Sequence, residues 1–198
     1  SLDVIGNVTG KDGITLNSSE SVWFDDNGHL GSPEGNINIK MDDASIINPR
    51  GGIADILSKY NMVKGSLTAE NNVNLNSSND AIRIGFDIFG GASVGLSAIN
   101  DIVFYIGSLT SNGAISIAAG TDGTGSINVR EVAATDGYAI DTAAALSMSA
   151  PNDITVAGRI QALDGASMDA GDGVLLDGGS LASNGAIGIA AGTGSINV

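Results

Sequence analysis

The chain has no cysteine. That excludes disulfides, a thiol nucleophile and thiolate metal ligation, so packing must hold the fold together. Histidine occurs once, at His29. Basic residues number 8 against 22 acidic ones, for a net charge of −14. A nucleic-acid backbone takes most of its affinity from Lys and Arg, and an anionic membrane surface needs the same charges. The balance argues against both as partners; the acidic surface reads as solvation that keeps particles apart. No apolar run approaches the 18 residues of a membrane-spanning helix, so no membrane insertion is expected. Aromatics are only 4% of the chain and proline occurs only three times.

Glycine and small aliphatic residues are plentiful. There are 29 glycines, about twice the usual share, and hydrophobic residues make up 42%, mostly Ala, Ile, Leu and Val. High glycine with little proline and evenly spread β-branched residues describes many short strands joined by tight turns. A repeat stands out: SLTSNGAISIAAG at 108–120 returns as SLASNGAIGIAAG at 180–192. Both copies run on into GSINV, the first after an extra Thr121-Asp122-Gly123. Weaker echoes start at Val8, Leu67 and Ile160 beside the clear copies at Leu109 and Leu181. Starts 160 and 181 are 21 residues apart, and starts 67 and 109 twice that, so the unit is about 20 residues with insertions.

Apolar-x-apolar triplets put two side chains on one face and the middle one on the other. The middle residues Thr15, Asn38, Asn74, Ser116, Asn128, Thr155, Gly188 and Asn197 are all polar or small. One strand face is therefore buried and the other meets water. Nine Asn-Gly or Asp-Gly pairs, such as Asn112-Gly113 and Asp164-Gly165, mark corners where a left-handed backbone is expected. A leucine-rich repeat needs more leucine, and a propeller blade runs about 40 residues with aromatic signatures. The pattern predicts an all-β fold, a right-handed parallel β-helix (β-solenoid) of about nine coils, ~4.8 Å apart. A β-sandwich of antiparallel hairpins is the alternative, because turns at 8–12-residue spacing also suit one. One departure is expected: Ile53, Ile56, Leu57, Tyr60 and Val63 follow helical spacing, placing a short helix over 53–64 within a non-repeat insertion, 48–65. The whole of 1–198 reads as a single solenoid segment, and its end in mid-strand at Ile196-Asn197-Val198 predicts that the polypeptide continues.

The stretches NDITVAG (152–158), ASMDAGDGVLL (166–176) and NGAIGIAAG (184–192) resemble coils of filamentous-haemagglutinin-like exoproteins. They are also similar to the repeat shafts of autotransporter-type and giant bacterial surface adhesins. The resemblance covers mainly 108–198, with 66–85. It implies a secreted bacterial rod at the cell surface or outside the cell, one that forms or presents an adhesive surface. The implied partners are neighbouring coils, the next subunit, or a host or matrix glycan or protein. An all-aliphatic repeat core without disulfides fits that setting. Two other roles stay open: a polysaccharide-acting β-helix enzyme, and a matrix-fibre subunit joined head to tail.

Catalytic and metal chemistry has thin support, and none is expected: no catalytic residue, no cofactor and no metal site. His29 sits in an Asn-Gly-His turn and reads as solvated, with no G-x-S-x-G elbow elsewhere. The pairs Asp25-Asp26 and Asp42-Asp43 read as turn residues, since catalytic carboxylates need a defined separation and environment. Gly171-Asp172-Gly173 and Asp177-Gly178-Gly179 echo calcium-binding glycine-aspartate repeats without the full tandem motif. The basic residues Lys11, Lys40, Arg50, Lys59, Lys64, Arg83, Arg130 and Arg159 form no cluster with carboxylates in sequence. Aromatic residues all precede residue 139. For a glycan or protein ligand, Trp23 and Tyr60 in the irregular half are the candidates, and the breaks near 25–65 and 130–145 are where particular features are expected.

Overall fold

The computed structural model describes residues 2–4, 6–18, 22–24, 29–41, 66–78, 81–85, 87–105, 107–130 and 137–198. Within them lie 24 strands, β1–β24 in chain order, and no helix. The expected helix over 53–64 falls outside the described residues, as does most of the 48–65 insertion. Every ladder is parallel, which decides for the β-solenoid over the antiparallel sandwich. The chain winds through about seven turns of about 21 residues, fewer than the nine or so coils expected from the sequence, because insertions between strands lengthen individual turns.

Three sheets form the sides. Sheet I holds β2 (Asn7–Thr9), β5 (His29–Ser32), β7 (Ser66–Ala69), β10 (Asp87–Gly90), β13 (Leu109–Ser111), β16 (Ile140–Thr142), β19 (Arg159–Ala162) and β22 (Ser180–Ser183). Sheet II holds β3 (Gly13–Ser18), β6 (Asn36–Met41), β8 (Asn72–Ser77), β11 (Ser93–Ala98), β14 (Ala114–Ala118), β17 (Ala145–Ala150), β20 (Gly165–Ala170) and β23 (Ala186–Ala191). Sheet III holds β9 (Ile82–Ile84), β12 (Ile102–Phe104), β15 (Ile127–Val129), β18 (Ile154–Val156), β21 (Val174–Leu176) and β24 (Ile196–Asn197). A separate pair, β1 (Leu2–Val4) on β4 (Val22–Phe24), takes the same place in the winding: β4 lies between a sheet II and a sheet I strand, as β9 does.

Register explains the repeat. The five starts read from sequence lie on one sheet I ladder, Val8–Leu30–Leu67–Ile88–Leu109–Ile140–Ile160–Leu181. The two clear copies, at Leu109 and Leu181, are therefore the same coil position three layers apart. Sheet II stacks Ile14, Ile37, Val73, Val94, Ile115, Leu146, Ala166 and Ile187 in one inward row. A second row runs Leu16, Ile39, Leu75, Leu96, Ile117, Met148, Met168, Ile189. Sheet III adds Ile82, Ile102, Ile127, Ile154, Val174 and Ile196. Between the end coils these side chains are buried in one continuous cluster. Their removal from water, at ~25 cal/mol per Å², is the main stabilising term. The flexible thioethers of Met148 and Met168 flank the row where it narrows to Ala166, as suits a gap-filling side chain.

Corners use two devices. A buried hydroxyl ends several sheet I strands and accepts the backbone N–H of the turn: Ser32 Oγ from Gly35, Ser111 Oγ from Gly113 and Thr142 Oγ1 from Ala144, at 3.1 to 3.2 Å. Ser111 also donates to the Gly90 carbonyl one coil away (2.9 Å). The second device is glycine, but not always for the reason the sequence predicts. Gly165 has φ +145°, a conformation that favours glycine. Gly113 has no such φ; a Cβ there would lie 1.6 Å from the Ala92 carbonyl oxygen of the neighbouring coil. Its requirement is close backbone stacking, not left-handed geometry.

Candidate functional site

Because the interior is filled, any binding chemistry belongs to the outward positions and the corners. On sheet II the outward rows change along the stack. In the early coils Asn72 Nδ2 donates to Asn36 Oδ1 (3.0 Å) and Asn74 Nδ2 to Asn38 Oδ1 (2.9 Å), one amide per layer. From β11 onward those rows become Ser93, Gly95, Ala114, Ser116, Ala145, Ser147, Gly165, Ser167, Ala186 and Gly188, a face of small residues.

Among the described residues a depression lies on the outer side of sheet III, near its edge with sheet II. It has a volume of about 340 Å³ and is lined by Asp153, Thr155, Asp172, Leu175, Ser195 and Asn197 together with Gly173, Val174 and Gly194. Parallel register builds it: Thr155, Leu175 and Asn197 stack outward on successive layers. The carboxylates sit at the preceding corner, where they brace turns. Asp153 Oδ1 accepts the Gly173 N–H (3.0 Å), and Asp172 Oδ1 accepts the Thr193 hydroxyl (2.7 Å). Both aspartates are exposed. Leu175, 39% exposed, supplies an apolar floor. Carboxylate, hydroxyl and amide acceptors around one apolar side chain suit a ligand with hydroxyl groups and a weakly apolar face. The lining contains no His, Lys or Arg.

The structure places the sequence candidates apart. Asp172 and Gly173 of Gly171-Asp172-Gly173 line this groove, while Asp177-Gly178-Gly179 lies at the next corner; Gly178 has φ +72°. Among the described residues no group of three or more His, Cys, Asp and Glu is placed to hold a metal. His29 begins β5, its N–H bonded to the Gly6 carbonyl (2.9 Å). Trp23 lies in β4, its backbone paired with Asp3. Asp25-Asp26, Asp42-Asp43 and Tyr60 lie outside the described residues. Among the described residues the basic side chains have separate partners: Lys11 pairs with Glu34 (3.5 Å), Arg130 covers the Tyr105 ring (4.9 Å to its centroid) and Arg159 covers Tyr138 (4.7 Å). Each arginine stacks from one coil onto the aromatic ring of a neighbouring coil, so these pairs lace layers together.

Sequence reading singled out Asp172 but not its partner Asp153. The available signal was an aspartate at the same corner one coil earlier, in Asn152-Asp153, followed by the same apolar-x-apolar beat. Comparison with known proteins finds no matching family model, no matching curated protein and no matching solved structure.

Proposed function

We propose that this chain is a structural and adhesive rod segment of a secreted bacterial surface adhesin or extracellular filament. The observation that carries the reading is the division between the two sides of each strand. Inward residues form unbroken aliphatic ladders through the coils, so they specify a stiff scaffold. Outward residues are mostly polar or small, with Phe89, Val103 and Leu175 as apolar exceptions, and vary from layer to layer; they do not determine the fold and are free to serve recognition. Repeat scaffolds use extended surfaces of this kind for binding. The absence of cysteine and the charge of −14 fit a soluble extracellular rod held by packing. The adhesive element would be the sheet III groove, and a glycan hydroxyl is the matching ligand group.

The test is retention of chain-coated beads on surfaces carrying host or matrix glycans and proteins. Retention that falls in Leu175→Asp is the expected result; no retention on any surface sinks the adhesive reading. Incubation with acidic polysaccharides separates the enzymatic alternative. Release of new chain ends, lost in Asp172→Asn, would replace adhesion with a polysaccharide-acting role.

A further inference from the structure

The sequence holds three Asn-x-Ser/Thr triplets in which x is not proline, the acceptor motif for sugar on asparagine. One, Asn7-Val8-Thr9, is strand throughout, so its asparagine and its hydroxyl residue are held ~6.6 Å apart along β2. The other two belong to one recurring tetrapeptide, Leu16-Asn17-Ser18-Ser19 and Leu75-Asn76-Ser77-Ser78. Both copies fall at one place in the fold. Asn17, Lys40 and Asn76 are consecutive positions of a single outward row on sheet II. The two asparagines are exposed and stand two layers apart on the same flank, ~10 Å by the strand spacing.

Three asparagines of β8 point outward, and they differ in what holds them. Asn72 Nδ2 and Asn74 Nδ2 donate to Asn36 and Asn38 on the layer before. Asn76 has Lys40 and Ser97 as its register partners, and its carboxamide has no hydrogen-bond partner among the described residues. The row continues from Asn76 through Ser97, Ala118 and Ser149. Those side chains are short, so a sugar ring on Asn76 has room beside it. The strand ends at Ser77, which turns inward and is 2% exposed. Ser78 follows at a bend, outside the strand. The carboxamide and the hydroxyl two residues on thus meet an enzyme at a strand end, where the chain can bring them together.

We propose that Asn76 is an acceptor site for N-linked sugar, and that Asn17 is its counterpart two layers away. Ser19 lies outside the described residues, so Asn76 is the site to test. The co-reactants are a sugar esterified at C1 to a nucleoside or lipid pyrophosphate, and a separate transferase that provides a base. The Asn76 amide nitrogen bonds to C1 as the bond from C1 to the pyrophosphate oxygen breaks. The pyrophosphate leaves with the electron pair, and one amide proton passes to the base. Nothing is oxidised or reduced. The product carries a hydroxyl-rich group on the sheet II flank and leaves the inward rows untouched.

The proposal stands on the sheet II register and not on the adhesive reading, so either can fail alone. The test incubates the folded full chain with UDP-glucose and a soluble N-glucosyltransferase specific for this triplet, beside a denatured sample in which every triplet is open. Peptide mass spectrometry reads each asparagine. One hexose on Asn76 of the folded chain is expected. Ser78→Ala should lower that occupancy about tenfold, the scale of one hydrogen bond lost in recognition, and Ser78→Thr should keep it. A corner loosened by Ser78→Ala would open Asn76 and raise occupancy, so a fall reports the missing hydroxyl. A folded chain left bare at Asn76 overturns the proposal, whether or not the denatured sample takes sugar. So does a Ser78→Ala chain modified as fast as the parent, or hexose appearing equally on Asn72 or Asn74.

Discussion

At the residue scale the fold rests on close approach between layers. Gly113 touches the neighbouring coil's backbone, and the Ala92 carbonyl stands where its Cβ would be. Gly113→Ala must therefore push two coils apart or tilt the corner. A loss of about 2–4 kcal/mol is expected in chemical denaturation, in the range of severe packing defects. Gly137 has open space around the same atom and no left-handed φ. Gly137→Ala should change stability by less than about 0.5 kcal/mol, as ordinary surface substitutions do. Two buried serines make a second contrast. Ser111 Oγ bridges Gly113 N–H and the Gly90 carbonyl; its removal strands a buried donor, so Ser111→Ala should cost about 1–2 kcal/mol. Ser77 Oγ is equally buried and has no hydrogen-bond partner among the described residues. Its ladder neighbour is Ala98, so Ser77→Ala fits the site and should raise the melting temperature. A fall in Ser77→Ala would mean that its hydroxyl is satisfied after all.

At the element scale a coil tolerates extra residues at its corners but not within its strands. Thr121-Asp122-Gly123 forms a turn closed by Gly123 N–H to the Gly120 carbonyl (2.9 Å), with Asp122 accepting from Thr124. The equivalent corner at Gly192-Thr193-Gly194 passes without these residues and keeps its ladder bonds. Deleting 121–123 should leave the melting temperature within a few degrees of the parent, since corner loops tolerate length changes; a collapse of the β-sheet circular dichroism would show that the turn anchors Pro151 beside it. The same tolerance explains what was legible in the sequence. Fixed strand-to-strand steps, such as six residues from Leu109 to Ile115, made the buried rows readable. Variable corners hid the rest. The sheet I row also contains Leu30, Ile88 and Ile140, which sequence reading passed over. Each lies in a strand of three or four residues, with one or two outward positions to reveal alternation, and beside Ile88 an outward position is taken by the apolar Phe89. The groove was hidden for the same reason: Asp153 and Asp172 belong to corners of different layers, and only three-dimensional register brings them side by side.

At the scale of the whole molecule each coil touches only the coil above and the coil below. Stability is then a sum of layer and nearest-neighbour terms, and opening starts at the ends. Hydrogen exchange should protect β11–β20 most strongly and β22–β24 least; uniform protection across these strands would mean that the stack opens as one unit. Charge acts over the same length. With a net charge of −14 and, among the described residues, an exposed Lys11–Glu34 ion pair, added salt should raise the melting temperature by screening self-repulsion over ~10 Å. The strict register of the ladders has a further consequence for how such a molecule changes over generations. Since any coil presents the same edges above and below, a tandem duplication of one coil's coding sequence inserts a new layer without disturbing its neighbours. Length is then inherited in discrete steps of ~4.8 Å, and the near-identical stretches at 108–120 and 180–192 have the form such copying would leave.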